Sequence, residues 1–289
     1  MLSAFYIRRF FRIVPIYLLI LIVYLGLCYH DSFKWGQLRA ALPYYFTFTN
    51  EWLPSGAPFG FSWTLGIEEK FYLIWPLLYF VVLRGRLRLI ALPFLYLTFA
   101  TLLPYRMGRS YSGLLVGCVL AIVLSARGLV PLKRLLSKIP GSILAGIIVF
   151  GFYLVDRDLK FTFLFSWMVA ALIANLQLSE SWLRGMLDAK WLTWIGRRSY
   201  GMYLVHGLVI DAVQSVVRPT NSLRQVTVVV LTYAGAALVA APIFNFVEEP
   251  ARRYGKALIE RRVAHKSREP EMSQMPGNLT QAQVKPRGA

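Results

Sequence analysis

Three arginines near the N-terminus could bind an anionic ligand. Arg9 and Arg12 are three residues apart and Arg8 and Arg12 are four apart, so on a helix they share one face. Guanidinium groups bind phosphate oxygens through paired hydrogen bonds, which suits the phosphates of a cytosolic cofactor. The alternative is that the cluster anchors a membrane helix by reaching lipid phosphates. Both interpretations place it at a membrane surface.

Two adjacent carboxylates, Glu68 and Glu69, form the second candidate group. Carboxylates at membrane depth are costly, and they usually face a cavity or a polar partner. Glu68 and Tyr72 are four residues apart and so share one face of a helix. We therefore interpret Glu68 as a candidate catalytic residue. The alternative is that the two acids only stabilise a helix N-terminus through its dipole.

The third group combines hydroxyls with a histidine. Ser199, Tyr203 and His206 are spaced by four and three residues, so they line one stripe of a helix. Asp211 lies five residues after His206 and off this stripe, so the spacing does not indicate a Ser-His-Asp triad. His206 is a second candidate catalytic residue, although a single histidine on a helix is more often structural.

The last polar group follows the final apolar run of the sequence. Glu248, Glu249 and Pro250 are followed by Arg252 and Arg253, and we expect the proline to break or redirect the helix. In the simpler interpretation, the two acids pair with the two arginines and cap the helix end.

The elements that must position these groups are predicted to be membrane helices. Of the 289 residues, 57% are hydrophobic and 16% are charged, which is too apolar for an ordinary soluble domain. The net charge is +18, but the basic residues are interleaved with apolar runs, which argues against a nucleic-acid-binding surface. About eight apolar runs approach the roughly 20 residues that cross a bilayer. These runs are 10–29, 64–83, 89–105, 112–126, 139–155, 161–178, 200–217 and 226–247.

The distribution of charge predicts the orientation of these helices. Most of the 32 basic residues fall in segments on the same side as Met1, so we expect both termini to be cytoplasmic. We therefore predict an all-α, polytopic transmembrane helix bundle over residues 1–255. A basic and then disordered cytoplasmic tail is predicted for 256–289, polar from Glu269 onward. The spacing of cysteines and histidines predicts no metal site.

Taken together and in this order, the four segments resemble the bacterial acyltransferase-3 family of integral membrane acyltransferases. That family carries an R-x-x-R segment, a W-[ST]-L-x-x-E-x-x-F-Y segment, an S-Y-x-x-Y-L-x-H segment and a terminal E-x-P. The matching residues here are Arg9 to Arg12, Trp63 to Tyr72, Ser199 to His206, and Glu249 with Pro250. The order of the four segments, spread over most of the chain, makes the match specific.

The resemblance implies an enzyme of the bacterial inner (cytoplasmic) membrane. It would move an acyl group, often acetyl, from coenzyme A to a hydroxyl of a carbohydrate or other cell-envelope acceptor such as a lipid-linked glycan. On the donor side, the resemblance implies contacts to acyl-CoA from Arg9, Arg12, Ser199, Tyr200 and Tyr203.

The resemblance also implies roles for residues outside the donor site. Glu68 and His206 are the candidates for chemistry. Trp63, Tyr72 and Glu249 would shape the acceptor side or hold helices together. Neither a metal nor a nucleic acid is implied.

One departure from the family affects the expected chemistry. The family begins with two further membrane helices, and the first carries an arginine and the histidine proposed as catalytic base. Met1 lies only a few residues before the arginine segment, and none of His30, His206 and His265 replaces that histidine by motif. We therefore expect either a misassigned start or a truncated, inactive chain, because a base must reach the acceptor hydroxyl.

Two other functions remain open at this point. Ionisable residues at several helix ends would also suit a transporter or flippase, although the sequence shows no internal repeat of the kind common in transporters. A non-catalytic scaffold that pairs with a full-length paralogue is the other alternative. Acyl-donor-dependent transfer, substrate uptake into vesicles and copurification with a paralogue distinguish the three.

Overall fold

The computed structural model describes residues 2–82, 87–103 and 105–273, and every regular element within these ranges is helical. The all-α prediction is therefore confirmed. The described residues form α1 (Leu2–Cys28), α2 (Ser32–Phe46), α3 (Trp63–Leu77), α4 (Leu87–Leu102), α5 (Tyr105–Ser125), α6 (Val130–Lys138), α7 (Gly141–Arg157), α8 (Thr162–Leu178), α9 (Trp182–Leu187), α10 (Lys190–Val216), α11 (Ser222–Ile243) and α12 (Glu249–Ser273). Two compact units result: a central unit, Ile20–Ala241, and a terminal unit that combines Met1–Leu19 with Pro242–Ala289.

Several of these helices are long and apolar enough to cross a membrane. The helical segments Leu2–Cys28, Met107–Ser125, Leu159–Leu178 and Ser222–Ala264 each qualify by length and composition, and α6 with α7 makes a fifth if the bent pair counts as one span. The predicted runs that begin at 64, 89 and 200 coincide with α3, α4 and α10, which do not qualify. Helices α3 and α4 are short, and α10 carries several charges. The chain is thus a multi-pass membrane protein, while the number eight and the side of each terminus stay predictions.

The central unit packs around α5, which contacts α3, α4 and α8. A buried cluster of Phe71, Leu92 and Leu115 joins α3, α4 and α5. On the far side of α8, a Cβ at Gly151 would lie 2.7 Å from the Met168 sulfur, so this glycine allows α7 to approach α8 closely. The N-terminal turns of α5 and α8 are therefore held beside α3.

The connector between α1 and α3, residues 29–62, is folded rather than extended. It begins with α2, whose first backbone N–H groups are capped by the Asp31 carboxylate. The buried Tyr45 hydroxyl accepts a hydrogen bond of 3.1 Å from the backbone N–H of Phe59. The Asn50 amide donates to the Ser62 hydroxyl at 2.8 Å, and the Ser62 hydroxyl donates to the Phe59 carbonyl at 2.6 Å. These buried bonds fix the connector where it enters α3.

In the terminal unit, α12 packs against the first turns of α1. The rings of Phe11 and Tyr254 are 5.2 Å apart, and a Cβ at Gly255 would lie 2.9 Å from the Phe11 ring. Of the two expected effects of Pro250, a redirected helix stays a prediction and a broken helix is wrong, because α12 begins at Glu249 and continues past the proline. A π-helical turn, Phe244–Glu248, directly precedes it and makes room for the proline ring.

The predicted tail begins inside α12. That helix crosses the predicted boundary at residue 255 and extends to Ser273. The rest of the predicted tail, 274–289, lies outside the described residues.

Candidate functional site

One face of α3 is fixed against the connector. A Cβ at Gly66 would lie 2.8 Å from the Asn50 backbone nitrogen and 2.9 Å from the Phe48 carbonyl oxygen, so only glycine allows this approach. One turn later, Lys70 donates to the Phe48 carbonyl at 2.9 Å and forms an ion pair with Glu51. The Glu51 side chain is only 5% exposed, and the lysine compensates its buried charge.

The opposite face of α3 lines a cavity of about 350 Å³. Helices α3, α5 and α8 form its walls, through Thr64, Ile67, Glu68, Arg109, Ser110, Gly113, Leu114 and Thr162. The lining thus includes one acidic residue, one arginine and three residues with hydroxyl groups. Because this set both donates and accepts hydrogen bonds, it can bind a ligand rich in hydroxyl groups.

Tyr203 on α10 is bonded to the wall of this cavity. Its hydroxyl donates to the Phe61 carbonyl at 2.5 Å and accepts from the Thr64 hydroxyl at 2.5 Å. Thr64 lies one turn before Glu68 on the same face of α3. The segments 63–72 and 199–206, which are far apart in sequence, therefore meet at the cavity.

His206 lies behind Tyr203, one turn further along α10. Its ring centroid is 4.7 Å from that of Phe61 and 5.4 Å from that of Tyr203. Its Nδ1 bonds the Tyr203 carbonyl, which can only accept, so the neutral ring carries its proton on Nδ1. A Cβ at Gly207 would lie 2.6 Å from the Phe61 ring, so the glycine makes room for that ring. Among the described residues, those that line the cavity do not include His206.

The rest of the predicted stripe on α10 does not reach the cavity. The exposed Ser199 hydroxyl donates to the Gly196 carbonyl at 2.9 Å, within its own helix. Tyr200 is half-buried. The structure therefore brings Tyr203 and His206 together at Phe61, and it leaves Ser199 outside this group.

The predicted acceptor-side aromatic residues are part of the packing of α3. Trp63 is its first residue and is half-buried. Tyr72 packs against the cluster of Phe71, Leu92 and Leu115. Although Tyr72 was predicted to share a face of α3 with Glu68, it does not line the cavity. Its packing suits the predicted role of holding helices together.

The predicted cofactor arginines lie in the terminal unit. The Arg9 guanidinium is 5.6 Å from the centroid of the Phe5 ring, and Arg12 is exposed. At this position the exposed Arg12 guanidinium is open to an anionic partner.

Glu248 was not among the predicted site residues. The spacing of E-x-P puts the glutamate two residues before Pro250, at Glu248 rather than Glu249. Glu248 is 2% exposed and lies 3.8 Å from an Arg252 guanidinium nitrogen. Glu249 is less buried and accepts a bond of 3.0 Å from Arg253. Arg109, Ser110 and Thr162 were missed as well, since only the packing of α3, α5 and α8 brings them to Glu68.

The chain is similar to several bacterial acetyltransferases. It is 29% identical over 295 residues to the peptidoglycan O-acetyltransferase OatA of Listeria monocytogenes, an alignment that covers 88% of this chain and 47% of that protein. It is 31% identical over 303 residues to the putative peptidoglycan O-acetyltransferase YrhL of Bacillus subtilis, with 90% and 47% covered. For the O-acetyltransferase OatA of Staphylococcus aureus, identity is 27% over 293 residues, with 88% and 48% covered. The chain thus spans about half the length of the curated relatives it matches.

No solved structure matches the chain. The family model of the acyltransferase-3 acyltransferase domain matches residues 1–241. That range includes the segments at Arg9, Trp63 and Ser199, while Pro250 lies beyond it. Because the match covers well over half of the sequence, the chain belongs to the acyltransferase-3 family.

Proposed function

We propose that this chain is a membrane O-acyltransferase that moves an acetyl group from acetyl-coenzyme A to a hydroxyl of a cell-envelope glycan. The observation that carries the proposal is the meeting of two family segments at the cavity, where Glu68 and Thr64 form part of the wall and Tyr203 is bonded to Thr64. The names of the relatives, which are peptidoglycan O-acetyltransferases, support a glycan acceptor.

In this proposal the cavity binds the acceptor. The acceptor oxygen attacks the thioester carbonyl and its hydroxyl proton goes to a base. The carbon–sulfur bond breaks, and the leaving thiolate of coenzyme A takes that proton from the base to become the thiol. Glu68 accepts the hydrogen bond of the attacking hydroxyl and takes its proton, in place of the family histidine that none of His30, His206 and His265 matches by motif. Arg109, Ser110 and Thr162 bind neighbouring polar groups of the sugar and so orient the attacking oxygen.

His206 acts in this proposal as a positioning residue. Its ring packs on Tyr203 and Phe61, and its Nδ1 is engaged with the backbone of α10. It therefore keeps the Tyr203 hydroxyl on Thr64, and through Thr64 it stabilises the wall that carries Glu68.

We assign the phosphates of the donor to Arg9 and Arg12. Acyl-CoA supplies the acetyl group as a substrate, and the half-buried Arg9 and the exposed Arg12, at a predicted cytoplasmic helix end, suit its phosphates. The proposal places the protein in the bacterial cytoplasmic membrane, with eight spans and both termini in the cytoplasm.

The test is a transfer assay on the full chain in membrane vesicles. Acetyl-coenzyme A labelled in the acetyl group is supplied on the side of the termini, peptidoglycan fragments are supplied on both sides of the membrane, and alkali-labile label on the glycan is counted. The proposal expects transfer by the wild type and by the exposed-surface variant Glu180→Gln, and loss of transfer by Glu68→Gln. Glycan uptake without donor dependence would instead support a transporter. An intact chain that transfers nothing and copurifies with a longer family member would support a scaffold.

A further inference from the structure

Helix α6 combines a basic face with an apolar face on its exposed side. It carries Lys133, Arg134 and Lys138 and has no acidic residue. Arg134 and Lys138 are exposed, and Leu132 and Leu135 remain 40% and 61% exposed. On a helix of 3.6 residues per turn, the two leucines lie beside the arc that holds the two cations. This pattern is typical of a helix that lies in a membrane interface.

The helix is held in a fixed orientation by its neighbours. The buried Asn175 of α8 donates to the carbonyls of Leu136 at 2.8 Å and Ile139 at 2.9 Å, which the end of α6 would otherwise leave without a helical partner. Lys133 donates to the Leu124 carbonyl at 2.6 Å, at the C-terminus of α5. The side of α6 that carries Arg134 and Leu135 therefore points away from the protein.

The angle between α6 and α7 indicates the orientation of α6 in the membrane. The two helices meet at 84°. At 1.5 Å per residue, the 17 residues of α7 extend about 26 Å, close to the roughly 30 Å of the hydrocarbon core. If α7 crosses the bilayer, then α6 lies nearly in its plane. Treating the pair as one broken span would instead place three cations in hydrocarbon.

We propose that α6 is an interfacial helix that binds the headgroups of anionic phospholipids. Arg134 and Lys138 contact the headgroup phosphates, while Leu132 and Leu135 insert among the acyl chains. Charge complementarity favours an anionic lipid, because the exposed side of α6 has two cations and the sequence 127–141 has no acidic residue to compensate them. The charge distribution of the loops assigns this surface to the cytoplasmic leaflet.

The lipid preference is tested with the full chain in mixed micelles of phosphatidylcholine and phosphatidylglycerol. Native mass spectrometry measures the ratio of the two lipids that stay bound. The wild type is expected to retain phosphatidylglycerol preferentially, and Arg134→Gln with Lys138→Gln to lower this preference by about fivefold per cation removed. The control, Arg157→Gln with Lys160→Gln, removes two exposed cations at the other end of α7 and is expected to match the wild type. Equal preference in all three proteins overturns the proposal.

A second measurement tests the depth of the helix and does not require charge removal. Spin labels are placed at Leu135→Cys and at Val130→Cys, in a chain whose two native cysteines are replaced by alanine. Val130 lies on the basic face of α6. In phosphatidylglycerol-containing nanodiscs, the label at 135 is expected in the hydrocarbon and the label at 130 at headgroup level. Two labels in hydrocarbon would identify a re-entrant segment, and two labels in water a helix outside the membrane. Either result overturns the proposal.

Discussion

Glu68 lies in the cavity wall near Thr64 and Arg109, so replacing its carboxylate tests the proposed chemistry directly. Glu68→Gln keeps the size of the side chain and removes its ability to take a proton. We expect the rate of acetyl transfer to fall on the order of 100-fold, with the chain still folded. Rates are measured with saturating acetyl-coenzyme A, and Glu180→Gln, at a fully exposed site, is the control. A transfer rate unchanged by Glu68→Gln would remove Glu68 from the mechanism.

His206 separates a positioning role from a catalytic one. Its ring packs on Tyr203, and its Nδ1 is bonded to a backbone carbonyl. We expect His206→Gln to slow transfer while the shape of the pH–rate profile stays that of the wild type, because the proton passes elsewhere. A profile that loses its acidic limb in the variant would show that His206 itself handles the proton.

The individual site residues show what the sequence could and could not predict. Spacing was sufficient to place Tyr203 and His206 on one stripe of a helix. The E-x-P pattern, counted back from Pro250, also identifies the buried Glu248. Arg109 counted only as one more basic residue in an outer loop. Its place beside Glu68 depends on how α5 packs on α3, a long-range contact that local spacing does not encode.

At the scale of elements, Gly66 is predicted to control how the connector docks on α3. Gly66→Ala introduces a Cβ within 3 Å of the Asn50 and Phe48 backbones, so the connector must move. We expect the free energy of unfolding to fall by about 1–3 kcal/mol and amide exchange near Asn50 to accelerate. The matched control is Gly36→Ala in α2, where nothing lies within 4 Å of the new Cβ and helix propensity rises. Equal effects of the two variants would contradict this role.

Helix α3 was predicted from the sequence, whereas its contacts with the connector were not. The apolar run 64–83 predicted a helix, and the helix is present. The ion pair of Lys70 with Glu51 was not predicted, since Glu51 is 19 residues away along the sequence. Pro250 was expected to break or redirect a helix, and the break is absent because a π turn upstream accommodates the ring.

For the whole molecule, the number of spans depends on how polar helices are counted. Within the described residues, length and composition accept four helices, or five with the bent pair α6 and α7. Helices α3 and α10 carry the candidate residues Glu68 and His206, and polar side chains lower the hydropathy of the helices that hold them. A count of eight spans, which includes these two helices, stays a prediction. An even number of spans puts both termini on one side of the membrane, whereas five spans would separate them.

The side of each segment is therefore the measurement that decides between these topologies. We expect Ser55→Cys, exposed in the connector, to react with a membrane-impermeant maleimide in intact cells. Lys256→Cys, exposed on α12, is expected to react only after the membrane is opened, because the charge distribution predicts that the basic segments lie in the cytoplasm. The wild type is the control for background labelling, since Cys28 is buried and Cys118 is half-buried. Labelling of Lys256→Cys in intact cells would place the C-terminal segment outside, and the orientation inferred from charge would then be wrong.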